Sequence, residues 1–115
     1  MSMIDNFKIM AKLGEAKTKI NELKDRLPYL SITEESADGL IRVNISADKV
    51  IRQLEINENM LFPAAKTDLE VRLLETINSA ILKADLLYKD ELKKALEGVV
   101  PDVPGFDLGS LMSKL

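Results

Sequence analysis

The residue types that would carry most enzyme chemistry are missing. Among 115 residues there is no cysteine and no histidine. That excludes Ser–His and Cys–His nucleophile pairs, thiolate catalysis and Cys- or His-based metal sites. The carboxylates Glu34, Glu35, Asp38, Asp68, Glu70, Asp90 and Glu91 remain as candidates for acid–base work or for a hard cation. None has ligand-loop spacing, and all fall at turns, caps or exposed helical positions, where acids are ordinarily solvated. No glycine-rich loop could cradle a phosphate, because Gly39, Gly98, Gly105 and Gly109 sit at turns and stops. Neither a catalytic residue, nor a metal, nor a cofactor, nor a small-molecule substrate is therefore expected, and an enzyme is not.

Basic residues offer a different chemistry. Lys8, Lys12, Lys19 and Arg26 fall within an arc of roughly 40° when turned through 100° per residue. Four cations on one helical line can track a phosphate backbone, each contact releasing counterions. Lys83, Lys93 and Lys94 on a later helix could extend the line, although they equally suit the negative end of a helix dipole. The competing explanation is an ordinary solvated helical face. A net charge of -3, from 16 basic and 19 acidic residues, rules out a uniform polycation and leaves only a local basic stripe.

These lysines need long helices to present them. Ile9, Leu13, Ala16, Ile20, Leu23 and Leu27 recur at helical spacing and predict a helix over residues 3–27, stopped by Pro28. Met3, Phe7, Met10 and Gly14 form a second apolar patch on another side. Period-two alternation follows in Ile41, Val43 and Ile45 against Arg42, Asn44 and Ser46, marking a strand. Ala37–Asp38–Gly39 reads as the turn before it, from a first strand over 29–36 with Leu30 and Ile32 inward. A third strand is expected over 50–57, with Leu54 and Ile56 inward. Arg52 breaks that alternation, which points to a bulge or to a face covered in an oligomer.

Thr67 and Glu70 match a capping box opening a second helix that runs to Leu96 or Glu97, with Gly98 as its stop. Its main stripe is Leu69, Leu73, Ile77, Ala80, Ile81, Ala84, Leu87 and Tyr88. Val71, Leu82 and Leu86 form a second line. The fold class is thus α+β: helix, three-stranded antiparallel sheet, helix. Two lone apolar lines, Met3, Phe7 and Met10 on one helix and Val71, Leu82 and Leu86 on the other, predict a homodimer interface. Residues 1–98 form one domain and 99–115 a flexible tail containing Pro101 and Pro104. No signal peptide and no membrane span are visible, which suits a cytoplasmic protein.

The whole layout resembles the YbaB/EbfC nucleoid-associated proteins. The resemblance rests on the opening helix Phe7-Lys8-Ile9-Met10-Ala11-Lys12 and on Gly39-Leu40-Ile41-Arg42-Val43-Asn44-Ile45. It continues through Val50 to Asn57, then Ile77-Asn78-Ser79-Ala80-Ile81-Leu82-Lys83-Ala84, and ends on Val103-Pro104-Gly105-Phe106. It implies a bacterial, tweezer-shaped homodimer whose projecting helices bind double-stranded DNA in the nucleoid. Backbone-phosphate contact with little sequence specificity is then the expected mode. The alternative is a dimeric protein-interaction module or adaptor that does not bind DNA.

Overall fold

The computed structural model describes residues 3–99 of the chain. It contains helix α1 (Met3–Arg26), strands β1 (Ser31–Glu35), β2 (Ile41–Ser46) and β3 (Ile51–Ile56), and helix α2 (Lys66–Leu96). The residues divide into two compact units, Leu27–Tyr88 and a second made of the chain before and after it. α2 contributes to both, with Lys89 as its first residue in the second unit.

The first unit is built on an antiparallel sheet in the order β1-β2-β3. Alternation along β2 sends Ile41, Val43 and Ile45 to one face, where all three are fully buried. They pack with Ala80 and Ala84 of α2, and Ile32, Leu69, Leu73 and Ile77 close around them. Two alanines one turn apart let the helix backbone approach the sheet. Each of the three β2 side chains contributes about 1.5–3 kcal/mol through burial. Gly39 makes the β1–β2 turn at φ 74°, and its N–H donates to Ser36 O at 2.8 Å. At the β2–β3 turn Lys49 takes the left-handed conformation, with φ 66°.

The irregularity signalled by Arg52 is a bulge. Asn44 lies opposite Gln53 while Ile45 lies opposite Ile51, so Arg52 has no partner across the ladder. Three other sequence expectations need correction. β1 starts at Ser31 rather than Tyr29, because Leu27–Tyr29 forms a single 3-10 turn around Pro28 and leaves Tyr29 87% exposed. Leu54, expected inward, shares a face with its buried neighbour Val43 yet stays 47% exposed. The core cluster of α2 reaches β1 and β2 and not β3.

The capping box is also absent. α2 is entered through a 3-10 turn at Pro63–Ala65, with proline in the first position and no side-chain cap from Phe62. Thr67 is already the second residue of α2, and Glu70 pairs with Lys66 at 3.1 Å. Proline at the start of this turn lacks only an N–H that would be unsatisfied anyway.

In the second unit, Ala16 and Leu23 of α1 and Leu92, Leu96 and Val99 are buried. Gly98, at φ 74°, ends α2, and the Val99 N–H donates to Leu96 O at 3.1 Å. The expected flexible tail lies outside the described residues from 100 onward. Among the described residues no helix is long and apolar enough to cross a membrane.

Candidate nucleic-acid interface

A cation can bind phosphate only where its charge is not already committed. In the sheet unit, six basic side chains stand against ten acidic ones, and every one of the six is ion-paired. Arg42 lies between Glu35 at 2.8 Å and Glu55 at 3.8 Å. Lys49 reaches Asp85 at 2.9 Å, and Arg52 reaches Asp48 at 3.6 Å. Arg72 joins Asp38 and Asp68.

Lys83 is held most firmly. Its Nζ is 2.6 Å from Glu34, a carboxylate only 12% exposed that also accepts from Ser79 Oγ at 2.8 Å. Those hydrogen bonds, the one from Lys83 first, hold the Glu34 carboxyl below the usual glutamate range. This unit is a neutralised, net anionic surface.

The other unit has the opposite balance. α1 with residues 89–99 carries nine basic side chains against seven acidic ones. Lys8, Lys17, Lys24, Arg26 and Lys93 make no hydrogen bond or ion pair with any described residue. Lys19 is 3.7 Å from Glu22, a long exposed pair that costs little to open. Lys94 pairs with Asp90 at 3.0 Å, which holds its ammonium above the usual lysine range.

Lys12 is half-buried and donates to Gly98 O at 2.9 Å. On the helical wheel the basic line runs directly beside the buried stripe of Ala16 and Leu23, which is why this lysine meets backbone instead of water. Six of the seven cations expected from the sequence thus share one unit, while Lys83 is in the other, bound to Glu34. Lys17 and Lys24 lie off the arc that defines the basic line, so helical periodicity does not group them with it. Their own signal is a seven-residue spacing, two turns on one side.

All six residues assigned to a dimer interface are exposed in the single chain: Met3 75%, Phe7 67%, Met10 68%, Val71 48%, Leu82 61% and Leu86 56%. Leu74 at 63% and Ile81 at 39% join them on α2. No group of three or more acidic residues among the described residues could hold a metal ion.

A protein from Flavobacterium johnsoniae named as a nucleoid-associated protein is 34% identical over 104 residues, 90% of this chain and 96% of its own length. One from Akkermansia muciniphila with the same name is 28% identical over 86% of this chain and 96% of its own. The crystal structure of an uncharacterised protein from Helicobacter pylori superimposes with a TM-score of 0.63 at 18% identity, covering 73% of this chain and 88% of that one, and so shares the fold. Residues 2–99 match the profile of the YbaB/EbfC DNA-binding family, and the chain belongs to that family.

Proposed function

We propose that this protein binds duplex DNA in the nucleoid through phosphate contacts made by α1 and the end of α2, with little reading of sequence. The observation that carries this reading is the division of charge. Uncommitted cations are confined to one unit, while every cation of the sheet unit is neutralised by a carboxylate. Membership of a DNA-binding family and relatives named as nucleoid-associated proteins support it. The contact set is Lys8, Lys19, Arg26 and Lys93, with Lys12 able to join once it leaves Gly98 and Lys94 once it leaves Asp90. Only Arg26 among these has the fork geometry that reads guanine bidentately, so base specificity is not expected.

Two copies form the working unit. Val71, Leu82 and Leu86, with Leu74 and Ile81, expose too much apolar surface on one helix to be left in water. A dimer presents the cationic unit twice, and the resulting effective concentration strengthens weak single contacts. Titrating salt into a complex with random-sequence duplex tests the reading. Log affinity should fall linearly with log salt, with similar slopes on unrelated sequences. No binding at low salt would favour the protein-interaction module instead.

A further inference from the structure

The uncommitted cations of α1 are not on one side. At 3.6 residues per turn, Lys8 and Arg26 point roughly 170° away from Lys17 and Lys24. All four are exposed, and none is engaged by a described residue. The buried stripe of Ala16 and Leu23 lies between the two pairs on one side of the helix. The opposite crest is the only route by which one duplex could reach both flanks.

A helix pushed crest-first into the major groove, about 12 Å wide, could touch both phosphate walls. Here the crest forbids it. In the first half of α1 the crest is Phe7, Met10 and Gly14, within the apolar patch assigned to the partner copy. In the second half it carries Asp25, an exposed acid that would face the electronegative groove floor. Like charge placed there repels the duplex. Each flank must therefore meet its own phosphate backbone.

We infer that α1 bridges two DNA segments, Lys8 and Arg26 holding one and Lys17 and Lys24 the other. The inference rests on the proposed DNA-binding role. It adds an activity, the joining of separate duplexes by a single helix, that binding alone does not require.

The experiment uses two random-sequence duplexes of equal length, one biotinylated on beads and one fluorescent, with the full-length protein at low salt. Binding of a single duplex is measured in parallel by anisotropy. The wild type should bind the single duplex and retain the fluorescent one on the beads. Lys17→Gln/Lys24→Gln should bind the single duplex within about threefold of wild type and lose at least tenfold in capture. Lys66→Gln, a cation of the sheet unit, should change neither signal.

Wild type that binds but captures nothing overturns bridging and leaves the DNA-binding reading standing. Capture that persists in the Lys17/Lys24 variant overturns it as well, because two copies are then bridging through a single flank each. Loss of both signals in that variant places all four cations on one duplex and also overturns it. Absence of single-duplex binding by wild type defeats the underlying reading first. Circular dichroism of each variant confirms that the helix content is unchanged.

Discussion

Lys12 Nζ donates to the Gly98 carbonyl at 2.9 Å, joining α1 to the end of α2 across 86 positions of sequence. The carbonyl belongs to the residue just beyond the helix, where the partial negative charge of α2 collects. A lysine on the basic line is therefore also the cation that completes a helix terminus.

Lys12→Gln should for that reason lower stability where Lys8→Gln does not. The interaction is partly solvated, so the loss should be a few tenths of a kcal/mol, near the lower end of helix-dipole effects. Thermal melts at low salt should show a fall of about 1–3 °C for Lys12→Gln and none for Lys8→Gln. Equal melting temperatures for the two variants would mean that the contact with Gly98 stabilises nothing.

The Glu34 cluster predicts a pH response. The folded-state pKa of Glu34 is lowered by hydrogen bonds from Lys83 and then Ser79. A carboxyl whose folded pKa lies below its unfolded one stabilises the fold at pH above the unfolded value, near 4.5. That stabilisation disappears as pH falls through the lowered folded pKa. Lys83→Gln should remove the largest cause, bringing the Glu34 pKa upward and reducing stability at neutral pH while flattening its fall in acid. The same variant should leave DNA affinity nearly unchanged, because Lys83 is committed to Glu34. Urea titrations at pH 7 and pH 3.5, with DNA binding measured alongside, test both halves.

The contrast between Lys12 and Lys83 shows where sequence reading stops. Periodicity reveals β2, the bulge at Arg52 and the end of α2 near Gly98, because each depends on residues within a few positions. The same reasoning puts the lysines on helical faces. It cannot show that Lys83 meets Glu34 across 49 positions or that Lys12 meets Gly98, because folding alone creates those partners. Leu54 departs from expectation for a related reason. Alternation identifies the face a side chain takes, whereas what covers that face depends on where α2 comes to rest.

Two glycines should respond to alanine with opposite signs. Gly98 has φ 74° and nothing within 4 Å of an added Cβ, so strain is confined to the backbone. Gly98→Ala should cost about 1 kcal/mol, the penalty of a left-handed non-glycine residue. Gly14 lies inside α1 and is equally uncrowded. Gly14→Ala should stabilise by about 0.5–1 kcal/mol by removing backbone freedom from the unfolded chain. Melting temperatures moving in the same direction would contradict the conformational explanation.

The dimer has its own test on α2. Leu74 is 63% exposed and Leu82 61%, and neither belongs to the core that holds α2 on the sheet. Light scattering at micromolar concentration should give about twice the 12.8 kDa chain mass for the wild type. Leu74→Glu/Leu82→Glu should return the chain mass while circular dichroism stays constant, since exposed positions tolerate charge and a buried interface does not. A monomeric wild type, or a double variant that remains dimeric, would remove these residues from the interface.

The basic line itself separates unequal lysines. Changing Lys8, Lys12, Lys19 and Arg26 together to Gln should weaken binding similarly on unrelated duplexes. It should also flatten the salt slope by up to about one unit for each phosphate no longer neutralised. The structure divides that effect. Lys8 and Arg26 have no partner among the described residues, whereas Lys12 is bound to Gly98 and Lys19 lies near Glu22. A bound cation must leave its carbonyl or carboxylate before meeting phosphate, so Lys12 and Lys19 each add less. Lys8→Gln/Arg26→Gln should therefore account for most of the quadruple variant's loss of affinity, and Lys12→Gln/Lys19→Gln for the smaller part. If the second pair matters as much as the first, the helix end yields Lys12 at no cost and Gly98 does not restrain it. If neither pair moves affinity or slope, the phosphates are held instead by Lys17, Lys24 and Lys93.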